Sequence, residues 1–63
     1  MKLVQKHKGY GIYEQTEKEI LNRDNGTSCK YLLFSPDEME QPKALRFPEF
    51  EADNIQELIE FVG

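Results

Sequence analysis

Staples are what this sequence lacks. Cys29 is the only cysteine and His7 the only histidine, so one chain can form no disulfide and no zinc site of the usual Cys/His type. The chain has 63 residues, and at that length only roughly 60% of the unfolded surface becomes buried. A core of that size contributes about 3 to 5 kcal/mol. The expectation is one marginally stable domain spanning residues 1–63, or a chain that draws part of its stability from association.

Long apolar runs are missing as well. None approaches the ~18 residues of a membrane span, and the N-terminal MKLVQKHKGY has no apolar centre of the secretory kind. These absences, with a single thiol, point to a cytoplasmic protein with no membrane role. Asn25-Gly26-Thr27 matches the glycosylation pattern, but in a protein that is not secreted it reads as a turn.

Also absent are a nucleophile with an orienting base, a metal-ligand cluster, a glycine-rich phosphate loop, internal repeats and low-complexity tracts. His7 lies between Lys6 and Lys8 with no carboxylate near it in sequence, so it reads as part of a solvated basic arm and not as a catalytic base. Cys29 reads as a small apolar filler. Asp37, Glu38 and Glu40 lack the alternating acids and central glycine of a calcium loop. Glu49, Glu51 and Asp53 read as cap and surface charge. The sequence thus suggests no catalytic residue, no cofactor and no metal.

Charge is unevenly distributed. The net charge is −4, yet residues 1–8 hold three lysines and no acid, whereas residues 36–63 hold eight acids against Lys43 and Arg46, a local balance of −6. Such a surface repels phosphate backbones and disfavours direct nucleic-acid binding.

What is present is strand-like. Asn25-Gly26 between two apolar runs predicts a type I′ hairpin over Glu19–Ser35. Tyr10–Gln15 reads as a preceding strand, and Leu3–Lys6 as a further strand or a packed arm. Thr16 and Glu19 also form a capping-box pattern that would start a helix. Ile20 and Leu21 are adjacent, however, and give such a helix no apolar face, so the strand reading is preferred. Two-residue loops then set a register that puts Tyr13, Ile20, Tyr31 and Leu33 on one face, with Tyr10, Ile12, Leu21, Leu32 and Phe34 on the other.

Pro36 and Pro42 bracket an acidic loop with room for one helical turn at Asp37–Glu40. Ala44–Phe47 suggests a short fourth strand, after which Phe50 is expected to pack on the core. Ile55, Leu58, Ile59 and Val62 follow the i, i+3, i+4, i+7 spacing of an amphipathic helix, with Asp53 as its expected N-cap. The predicted fold is α+β: a small antiparallel meander of three or four strands with one C-terminal helix on one face.

Both faces of that sheet carry apolar residues, and one helix covers only one of them. The N-terminal arm or residues 45–50 could close the second, as could another protein chain, identical or different. The sequence therefore suggests a non-enzymatic protein-binding or regulatory module, acting through Tyr13, Ile20, Tyr31 and Leu33 together with Asp37, Glu38 and Glu40, and possible as a homodimer. The alternative is an acidic nucleic-acid mimic that blocks a DNA- or RNA-binding enzyme, as phage anti-defence inhibitors do.

Overall fold

The computed structural model describes residues 1–63. It contains an antiparallel sheet in the order β1-β2-β3-β4, formed by β1 (Lys2–His7), β2 (Tyr10–Glu14), β3 (Tyr31–Phe34) and β4 (Phe50–Ala52). Helix α1 (Glu17–Asn22) joins β2 to β3, the one-turn helix α2 (Pro36–Met39) follows β3, and α3 (Ile55–Val62) ends the chain. The α+β meander with a C-terminal helix is as the sequence implied, with four strands.

The type I′ hairpin exists, but at a different dipeptide. His7 pairs with Tyr10 across a two-residue loop in which Lys8 has φ +52° and Gly9 φ +84°. Positive φ at both central residues is what a type I′ turn requires. Leu3–Lys6 is accordingly strand, as one of its two readings had it.

The hairpin expected around Asn25-Gly26 does not form, because the capping box prevails. Thr16 Oγ1 accepts from Glu19 N at 3.1 Å, and Glu19 Oε1 accepts from Thr16 N at 2.9 Å. The N-terminal ammonium adds an ion pair to Glu19 Oε2 at 2.7 Å. That ammonium, followed by the hydrogen bonds at Thr16, holds the Glu19 carboxyl below the usual carboxylate range. As the apolar pattern implied, α1 has no buried residue. It is held by its ends. Arg23, at φ +56°, closes the helix through bonds to Glu19 O and Ile20 O, and Gly26 N returns to Arg23 O at 3.0 Å. Thr16→Ala is expected to cost about 1 kcal/mol, the typical worth of such a cap. Thermal unfolding followed by circular dichroism checks this, and an unchanged melting curve would remove the cap from the account.

Gln15, nearly fully buried, secures the loop after α1. Its Nε2 donates to Cys29 O at 2.8 Å, its Oε1 accepts from Asn25 Nδ2 at 2.7 Å, and its backbone N donates to Lys30 O at 2.9 Å. Cys29 therefore lies in this loop and not in a strand.

The observed register corrects the two faces. Ile12 pairs with Leu33, Tyr13 with Leu32, and Glu14 with Tyr31. Tyr31 and Leu33 thus share a face with Ile12 and Tyr10, while Tyr13 lies opposite with Leu32 and Phe34. The α1 connection changed the phase between β2 and β3, and a shift of one residue exchanges the faces of a strand.

Each face has its own core. On one, Ile12, Leu33, Ala52 and Leu58 are buried, with Ile55, Ile59 and Val62 of α3 packed around them. This is the stripe the helical spacing predicted. The helix is capped by Asn54, whose Oδ1 accepts from Glu57 N at 2.9 Å, and not by Asp53, which accepts instead from Lys30 N at 3.1 Å. On the other face Tyr13, Leu32 and Phe34 cluster beneath Met39 of α2, and Tyr13 and Phe34 meet edge to face at 5.3 Å. Gly11 allows this approach, since a Cβ there would fall 2.6 Å from Met39 Sδ.

The turn at α2 falls close to the expected residues, with Ser35 as N-cap and Pro36 in the first turn. The fourth strand is Phe50–Ala52, not Ala44–Phe47; residues Lys43–Leu45 instead form a 3₁₀ turn after Pro42. Phe50 is 41% exposed and stacks on Phe61 at 4.6 Å, so it lies at the rim of the core and not within it.

Candidate functional site

The four sheet residues proposed as a binding face are not brought together. Leu33 is fully buried under α3 and Tyr13 nearly so on the opposite side. Ile20 sits half-buried on α1, beside an open depression lined with Glu17 and Leu21. Tyr31, also half-buried, lies on the α3 face with Lys30 Nζ 5.5 Å from its ring centroid. Asp37 and Glu40 are exposed on and just after α2, and Glu38 is half-buried there.

The second face is closed by the chain itself, with residues 45–50 taking part as one of the alternatives had it, through Arg46, to which the sequence assigned no role. Arg46 reaches inward across the segment after α2. Its Nε donates to Gln41 O at 2.8 Å, Nη1 to the Tyr13 hydroxyl at 3.0 Å and Nη2 to Met39 O at 2.9 Å. A planar guanidinium can serve three acceptors at fixed angles, which a lysine cannot. Two more bonds fix the backbone beyond it: Phe47 N donates to Glu38 Oε1 at 2.7 Å, and Glu49 N to Leu33 O at 2.7 Å. Residues 38–49 thus lie against the sheet through polar anchors.

Those anchors leave apolar side chains in solvent. Leu45 and Phe47, on either side of Arg46, are 60% and 75% exposed. Phe50 and Phe61 add a half-exposed aromatic stack at β4. Glu38 accepts from Phe47 N, and Glu40, Glu49 and Glu51 on the same stretch of chain are exposed. The sequence held a signal for this: Phe47 stands directly before Pro48, and proline ends most pairing that could bury it.

No three of the His, Cys, Asp and Glu side chains converge in a metal-binding geometry. His7 lies on β1 with its Nε2 buried and without a hydrogen-bond partner, and so is not the solvated residue its lysine neighbours implied. No helix is long and apolar enough to cross a membrane. The fold defines the class: a four-stranded antiparallel meander with a helix of eight residues on one face and an arginine-anchored segment on the other. Compared with known proteins, the chain matches no family, no curated protein and no solved structure.

Proposed function

We propose that this protein is a non-enzymatic, cytoplasmic protein-binding module whose contact surface is the shelf of Leu45 and Phe47 with the neighbouring acids Asp37, Glu38 and Glu40. The observation that carries this reading is Phe47, three-quarters exposed on a segment whose backbone is hydrogen-bonded at both ends. An aromatic ring held in place before binding loses little entropy when a partner covers it, and aromatic anchors dominate interface energetics. Acids beside it favour a partner with a basic rim. Tyr13 supports the shelf through its hydroxyl bond to Arg46, Tyr31 and Leu33 belong to the core under α3, and Ile20 lies apart on α1.

Phe47→Ser is expected to leave the melting temperature nearly unchanged, since exposed substitutions stay within about 0.5 kcal/mol. It should abolish capture of a protein partner that persists at high salt. Equal capture by wild type and variant would overturn the shelf.

The nucleic-acid-mimic reading keeps one supporting observation. Lys2 and Lys6 lie on β1, at the sheet edge opposite β4, and neither pairs with an acid of the other half, whereas Lys8 in the turn donates to Gly63 O. Under that reading, binding to a basic enzyme groove disappears with rising salt and is indifferent to Phe47→Ser.

A further inference from the structure

The two outer strands of the sheet, β1 and β4, are its free edges. Each edge carries charge of one sign. On β1, Lys2 and Lys6 are exposed, and Lys8 follows in the turn; on and around β4, Glu49, Glu51 and Asp53 are exposed. A single sign on an edge keeps like edges apart. It therefore opposes β1 against β1 and β4 against β4, the two symmetric ways in which copies of this chain could join sheets.

The remaining pairing is β4 of one copy with β1 of another. With four strands alternating in direction, β1 of a second copy displaced sideways runs antiparallel to β4 without being turned over. The faces agree. Lys6 pairs with Gly11, and Glu51 with Leu32, which lies opposite Tyr13, so Lys6 and Glu51 project from the same face of the sheet. If Glu51 is set opposite Lys6 of the second copy, antiparallel counting brings Phe50 opposite His7, Ala52 opposite Gln5 and Glu49 beside Lys8. One register thus forms the Glu51–Lys6 charge pair and sets Glu49 near Lys8, whose ammonium donates to Gly63 O of its own chain. It also keeps clear of the irregularity between Leu3 and Gln5 in β1.

We propose that this protein self-associates head to tail, β4 of one copy adding to β1 of the next in the register that opposes Glu51 to Lys6. The interface is heterologous, so it does not close at a dimer. Because β4 has only three residues, the association is weak and reversible. It uses the sheet edges and not the Phe47 shelf, so it stands apart from the function proposed above.

Sedimentation of the full chain over a wide concentration range at low salt tests it. The wild-type average mass should rise with concentration and pass the dimer value, and high salt should reverse this. Lys6→Glu alone and Glu51→Lys alone should each weaken association about tenfold, because an attractive cross-strand pair becomes repulsive. Mixing the two variants in equal amounts should restore it, since every junction then opposes unlike charges. Circular dichroism confirms that each variant is folded. A wild-type chain that stays monomeric to near-millimolar concentration overturns the proposal. So does association lost in Phe47→Ser but retained in both charge variants, which would place the contact on the shelf.

Discussion

Replacing Leu58 by alanine is expected to leave the protein largely unfolded at room temperature. Leu58 is fully buried and is the one buried residue of α3. It belongs to the cluster of Ile12, Leu33 and Ala52, which draws on β2, β3, β4 and α3 together. Truncating a buried leucine costs about 2 to 5 kcal/mol, the transfer energy of the lost methyl groups plus the cavity left behind. A domain of this size holds about 3 to 5 kcal/mol in all. The helix cannot compensate, since eight residues fall below the length at which an isolated helix is stable. Glu57→Ala, one position earlier on the exposed side, is the control, with an expected change within about 0.5 kcal/mol. Urea unfolding of both variants decides the matter, and comparable midpoints for the two would show that α3 does not complete this core.

The second large effect is expected from Arg46→Ala. The substitution removes the donors to Gln41 O, the Tyr13 hydroxyl and Met39 O. Leaving part-buried acceptors unmatched should cost about 2 to 3 kcal/mol, less than three separate bonds would suggest because water reaches some of them. The change also has a local signature. With Arg46 gone, residues 40–47 lose their hold on the α2 face, and the amides of Phe47 and Glu49 should exchange with solvent much faster than those of β2. Binding through Phe47 should weaken even though Phe47 is still present, because its segment must now be ordered on contact. Arg46→Lys should recover little, as one ammonium cannot meet three acceptors in a plane. If Arg46→Ala melts with the wild type and its Phe47 amide stays protected, the segment is held by something other than the guanidinium.

The elements easiest to read were those whose pattern was long relative to competing signals. The stripe Ile55, Leu58, Ile59 and Val62 could be only a helix face, and it packs as one. Tyr10–Glu14 and Tyr31–Phe34 are strands as their composition suggested. At Thr16–Asn25 two local signals competed, and the choice rested on the lack of an apolar face. That criterion correctly described α1, which buries nothing, yet did not decide its conformation. Its caps and its ion pair with the N-terminus did. The N-terminus is eighteen residues away in sequence, so no local window could include it.

The candidate site was less legible than the fold for a related reason. Asp37, Glu38 and Glu40 were correctly placed in and beside a helical turn after Pro36. The faces of the sheet were exchanged because they depend on strand phase, and phase is inherited from whatever connects the strands. Arg46 looked like one of two stray bases in an acidic half. Its partner hydroxyl on Tyr13 is 33 residues away, a distance that composition cannot bridge.

The sequence by itself determined the α+β class, the amphipathic C-terminal helix, the acidic turn after β3 and the separation of lysines from acids along the chain. Each of these is a matter of local periodicity, proline placement or count. Only the tertiary structure decided which residues share a face, what closes the second side of the sheet, and that Phe47 stands in solvent while Tyr13 does not. Those outcomes are set by strand register and by hydrogen bonds between residues distant in sequence, and both exist only once the chain has folded.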